Sequence, residues 1–270
     1  MGQSGRSRHA GGGRGGPRLD PAPPGCRPLI AAWPALALAG VTTVGPGTYR
    51  PLYPVEGVDP TVPVAAFGLD ETPVTVAEYA AFVAGHPEWR RDRVSRLFAD
   101  EGYLTDWATA EAPGEGLLAD APVTRVSWFA ARAYCRERGA RLPTEAEWEL
   151  AAAGRADGTM SEAELAQVLA WYGRPTPPRH PSVGGPPNGW GVRDLHDLVW
   201  EWVEDFNASL VSVDNREQSG ADRVAFCGAG ALGAADRDDY AAFMRVAFRS
   251  SLRATTTTRN LGFRCASEVP

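Results

Sequence analysis

Beyond about Val44, apolar positions come in short runs bounded by glycine, proline and capping residues, with no long periodic stretch. "VPVAAFGLDETPVTVAEYAAFV" predicts a strand, a turn and a helix. Thr75 and Glu78 form a Thr-x-x-Glu capping box, and Ala77, Tyr79, Ala81 and Phe82 carry that helix to about Gly85. "HPEWRRDRVSRLFADEGYLTDW" is polar with scattered aromatics and predicts surface helix plus loop. In "APVTRVSWFAARAYCRERGARLPTEAEWELAAAG", Ser127 is an N-cap and Gly139 a left-handed stop. Pro143 breaks the chain there. Thr144 with Glu147 then opens a second helix, which Gly154 ends. "MSEAELAQVLAWYG" is helix-like and leads into a proline-rich connector. "NGWGVRDLHDLVWEWVEDF" reads as a turn and an aromatic strand. The segment from Asp222 onward is expected to supply strands that close the fold.

Composition narrows the function classes. Across 270 residues, 30 glycines, 23 prolines and nine tryptophans favour a loop-rich domain pinned by large aromatics. A net charge of −6 gives no basic footprint, so nucleic acid is not an expected partner. The first residues are rich in Gly, Arg and Pro and cannot bury enough apolar surface to fold. "LIAAWPALALAGVTTVG" follows, too short to span a bilayer well. A basic lead, a short apolar run and small residues describe a secretory signal peptide. The expectation is therefore a tail over residues 1–43, a domain over 44–270, and export to the periplasm or outside the cell. The alternative is a cytoplasmic chain whose disordered tail precedes a first buried strand.

Four stretches, "ETPVTVAEYAAFV", "PVTRVSWFAARAYCRERGARLPTEAEWELAAAG", "NGWGVRDLHDLVWEWVEDF" and "RVAFRSS…NLGFRCA", together resemble the formylglycine-generating enzyme family, the sulfatase-modifying-factor domains. The resemblance implies a loop-rich α+β fold related to the C-type lectin fold, with little regular secondary structure. It also implies a chemistry. Aerobic members oxidise a cysteine of a sulfatase peptide to formylglycine, using two thiolates that bind monovalent copper, a soft ion suited to sulfur. Aligning "RVAFRSS" on the family pattern puts Ala241 at the second thiolate position and the first near Leu232. Neither can ligate copper, so copper is not expected.

The resemblance further implies a Cys135–Cys265 disulfide, with two buried free thiols as the alternative. Closing about 130 residues would be worth on the order of 4–5 kcal/mol on the chain-entropy model. Cys26 lies in the tail. Cys227 is the odd thiol, a candidate redox group or single-sulfur ligand beside the glycine-rich turn. The family's calcium position before "VWEW" is Leu198 here, which argues against calcium, although Glu201 remains as a candidate metal ligand. His9, His86, His180 and His196 lack metal-ligand spacing, and His196 is expected to be structural. Arg245, Arg249 and Arg264 should clamp carboxylates or backbone carbonyls, with Arg249 and Asn260 as candidate cleft residues.

These readings converge on an exported accessory or maturation factor that binds a protein or peptide partner without the copper-dependent oxidation. By analogy with divergent members of the family, such a chain accompanies copper nitrite reductase systems. One rival is an oxidoreductase with a non-standard metal centre at Cys227 or in the Asp236–Asp239 loop. Another is a lectin-like binding module.

Overall fold

Side-chain caps decide where the helices of this chain begin. In the computed structural model, which describes residues 40–52, 61–207 and 237–269, Thr75 and Glu78 bond reciprocally at the start of α1 (Val76–Gly85). Ser127 caps α2 (Trp128–Glu137), beyond which Gly139 takes φ +69°. Thr144 and Glu147 box the start of α3 (Glu145–Ala153), and Gly154 ends it in the left-handed region. The same device, unmarked in the sequence reading, opens α4 (Glu162–Tyr172) through Ser161 and Glu164. Each such cap satisfies amide donors that the first turn leaves open and is worth about 1 kcal/mol.

The strands are short. β1 (Val41–Val44), β4 (Phe67–Asp70) and β7 (Ala266–Glu268) form an antiparallel sheet in the order β1-β4-β7, with Val44 opposite Phe67 and Leu69 opposite Ala266. β2 (Gly47–Tyr49) pairs with β3 (Val62–Val64), and β5 (Trp200–Glu201) runs parallel to β6 (Leu261–Gly262). The segment over 86–107 is a 3-10 turn at Pro87–Trp89 followed by turns and bends. One large hydrophobic core joins most of these pieces, with Phe67, Leu69, Tyr79, Leu150, Trp202 and Phe263 buried in it. The result is α+β with little regular structure, and no described helix is long and apolar enough to cross a membrane.

The closing segment corrects one expectation. Residues 237–251, expected as strand, form the longest described helix, α5 (Arg237–Ser251), and only β6 and β7 beyond it are strands. Its buried positions Ala241, Arg245, Val246 and Arg249 keep helical spacing. Two of the four are arginines, so an apolar stripe is invisible there.

Candidate functional site

Arg245 and Arg249 lie one turn apart on α5, and Glu145 and Glu149 lie one turn apart on α3; the two pairs meet. Arg245 Nε donates to both Glu149 oxygens at 2.9 and 2.8 Å, and its Nη1 donates to the Tyr172 hydroxyl at 3.1 Å. Arg249 Nη1 donates to Glu149 at 2.7 Å and to Glu145 at 3.2 Å, while its guanidinium lies 4.9 Å over the Trp148 ring. Burial works against charge on Glu149, yet the two guanidiniums outweigh it and hold the carboxyl at about 2. Glu149 therefore stays ionised at any physiological pH.

Above this layer opens a cleft of about 580 Å³, lined by Tyr49, Glu149, Asp157, Leu165, Ala241 and Arg245 among others. Burial, followed by the charges of Glu149 and Glu145, pushes the Tyr49 hydroxyl well above the usual phenol range, so it stays a neutral donor. Ala241, the second thiolate position by family resemblance, is 1% exposed and packs with Leu165 and Val168. A methyl group in an apolar cluster offers copper no donor, and copper does not fit this position. Leu232, Cys227 and Asp236 lie outside the described residues, as do the side chains of Asp238 and Asp239. Among the described residues no group of three or more His, Cys, Asp or Glu side chains could hold a metal ion.

Arg249 sits under the cleft rather than in its lining, because both helices turn it toward Glu145 and Glu149. Asn260 lines a second cleft of about 330 Å³, together with Trp171, Tyr172, Asp197, Leu198 and Trp200. Tyr172 and Phe248 each stack on Trp200, at 4.9 and 4.4 Å between centroids. Both oxygens of Glu201 are engaged: Oε1 accepts from Arg264, and Oε2 from Arg264 and Trp148, all at 2.8 Å. Three of the roughly four acceptor sites of this wholly buried carboxylate are thus taken by structural donors. The Leu198 side chain is apolar and offers calcium no oxygen ligand, and the Glu201 carboxylate is committed to Arg264 and Trp148. Cys135 and Cys265 are joined by a disulfide, with Cα atoms 5.5 Å apart.

His196 packs edge-on against Trp148 at 5.4 Å. Burial, reinforced by Arg245 and Arg249, drops its imidazole to about 3 from the usual 6.5. The ring is neutral in the folded chain and takes a proton on unfolding, so stability is lost as pH falls from about 6.5 toward about 3. The slope should be about 1.4 kcal/mol per pH unit. Glu149, lowered from 4.5 to about 2, adds its own loss only below about pH 4.5. Urea denaturation between pH 6 and 5 should therefore show a slope that His196→Phe flattens; an unchanged slope in that variant would assign it elsewhere.

The sequence reading missed Glu145, Glu149, Tyr49 and Tyr172. The available signal was the matched spacing of four in "EAEWE" and "RVAFR", which places like charges on one face of each helix.

The sulfatase-modifying factor enzyme 1-like domain family matches residues 39–269. The formylglycine-generating enzyme of Streptomyces coelicolor is 32% identical, over 80% of this chain and 83% of its own length. The mouse protein named inactive C-alpha-formylglycine-generating enzyme 2 is 33% identical, over 60% of this chain and 55% of its own. The crystal structure of CarF aligns with a TM-score of 0.48 and 17% identity, covering 85% of this chain and 98% of that one. With all of the described residues inside the matched range, this chain belongs to the sulfatase-modifying-factor family, that of the formylglycine-generating enzymes.

Proposed function

We propose that this chain is an exported accessory or maturation factor that holds a protein or peptide partner at the Ala241 cleft and does not carry out copper-dependent cysteine oxidation. The observation that carries the reading is Ala241 itself, a buried methyl packed on Leu165 and Val168 at a thiolate position. The open cleft beside it is large enough for part of a peptide, being within the usual range of ligand sites. A relative whose name describes it as inactive supports the idea that this scaffold can be kept without the oxidase chemistry. Export is supported by the Cys135–Cys265 disulfide, a bond that persists in oxidising compartments, and by the signal-like apolar run.

Incubating the full chain with copper and a cysteine-containing sulfatase peptide should give no aldehyde above a no-protein control. Turnover would overturn the loss of oxidation. For the partner, a photo-crosslinking peptide pool should label the cleft lining at Tyr49 or Ala242. Labelling confined to other surfaces, or none, would overturn that half.

A further inference from the structure

A third cleft, about 150 Å³, shares no lining residue with the Ala241 cleft. Distant segments of the chain build it. They contribute Asp106 and Trp107, then Arg125, then Arg179 and His180 from the proline-rich connector, and Arg259. Three arginines face one acid there, so the lining carries excess positive charge. Two of its polar atoms are buried without a hydrogen-bond partner: Arg125 Nε and His180 Nδ1. Buried polar groups are nearly always satisfied, and an exception asks for an explanation.

The chemistry of these two atoms is complementary. Arg125 Nε forms an ion pair with Asp106 Oδ2 at 3.6 Å, beyond hydrogen-bonding distance, so its N–H is an unused donor. His180 Nε2 lies 2.7 Å from the Arg259 carbonyl, which can only accept, so Nε2 carries the ring proton. Burial, followed by the charge of Arg259, lowers the imidazole below its usual value. Its Nδ1 is then a bare lone pair, an acceptor. Burial also raises the Asp106 carboxyl from its ordinary value, against the pull of Arg125.

Arg125 is set in place at a backbone cost. Its φ is +57°, in the left-handed region, where a side chain other than glycine costs about 1–3 kcal/mol. Its amide donates to the Thr258 carbonyl at 3.0 Å, and its carbonyl accepts from the Leu104 amide at 3.1 Å. Such strain persists where surrounding structure imposes it, and it clusters at ligand clamps.

We propose that this cleft binds a carboxylate that has an N–H donor beside it, the carboxylate on Arg125 and the N–H on His180 Nδ1. That pairing occurs at the C-terminal residue of a peptide, and at an Asp or Glu side chain with its own backbone amide. A volume below that of drug-sized pockets suits one such group, with Trp107, Leu117 and Pro177 as apolar walls. The assignment of a peptide as its source rests on the partner reading above.

The test uses the full chain and N-acetylglycine, which carries both groups, against N-acetylglycinamide, which lacks the charge. The ¹H–¹⁵N indole resonance of Trp107, assigned through Trp107→Phe, should shift saturably with N-acetylglycine. It should respond about tenfold more weakly to the amide, and Arg125→Gln should weaken the acid by a similar factor. Arg179→Gln, at an exposed position, carries the same comparison if Arg125→Gln does not fold. No saturable shift, an equal response to acid and amide, or full binding in the folded variants overturns the proposal. Peptides with free or amidated C-termini, each with internal Glu or Gln, then identify the source. Peptides retained regardless of carboxylate sink this site and leave the partner reading standing. N-acetylglycine bound by a chain that retains no peptide does the reverse.

Discussion

Replacing Arg264 with leucine is expected to cost the fold about 3–5 kcal/mol, the range for stripping one partner from a buried ion pair. The side chains of Arg264 and Glu201 are wholly inaccessible, and the guanidinium makes five hydrogen bonds. Two go to the Glu201 carboxylate, and three go to the carbonyls of Asp70, Glu71 and Arg193, at 3.0, 3.1 and 2.9 Å. Leucine would leave a buried anion and three carbonyls, that of Asp70 buried, without these donors. Lysine should rescue little, because a single ammonium cannot span a forked carboxylate and three carbonyls at once. The double variant Arg264→Met/Glu201→Met should lose less than Arg264→Leu, since no charge is then stranded. Urea denaturation of the three variants measures this. A loss below about 1 kcal/mol in Arg264→Leu would show that the site rehydrates, and the argument from stranded charge would fail.

Loss of the Cys135–Cys265 bond is the other large expected effect. The two residues are 130 positions apart, and cross-linking so long a loop is worth about 5 kcal/mol on the chain-entropy model, before strain. The native structure around the bond has independent fastenings. Asp70 takes a bidentate pair from Arg138 at 2.8 and 2.9 Å and a bond from the Cys265 amide at 3.0 Å. The Asp70 amide donates back to the Cys265 carbonyl at 2.9 Å. Cys135→Ala/Cys265→Ala should thus keep the folded near-ultraviolet circular dichroism while its denaturation midpoint falls sharply. The expected loss is about 4–5 kcal/mol. A midpoint within about 1 kcal/mol of the parent would mean that the unfolded chain is already restricted by other means.

Local rules carried the sequence reading well at three helix starts where a side chain bonds its own turn. Thr75 with Glu78, Thr144 with Glu147, and Ser127 all cap the helices they precede, because such bonds depend on three or four adjacent residues. The family was legible for a related reason: its motifs are contiguous. Helix α5 was not legible, since its buried face at Arg245 and Arg249 is made apolar in effect only by Glu145 and Glu149, a hundred residues earlier. Nor could the Arg125 cleft be read, because nothing local ties Asp106, Arg125, His180 and Arg259 together. Arg249 and Glu201 were chosen as site residues by motif position, and the structure gives both to buried ion pairs.

The order β1-β4-β7 has a consequence in time. Leu69 on β4 pairs with Ala266, so the third strand of the sheet leaves the ribosome roughly 200 residues after its partner. At about 5–20 residues per second that interval is on the order of 10–40 s. Throughout it, one edge of β4 presents unpaired amides and carbonyls, a template to which a neighbouring nascent chain could attach. Cys265, which ties this segment to α2, arrives immediately before β7. Folding of this domain is therefore completed after its synthesis, and its yield should depend on what shields β4 until β7 appears.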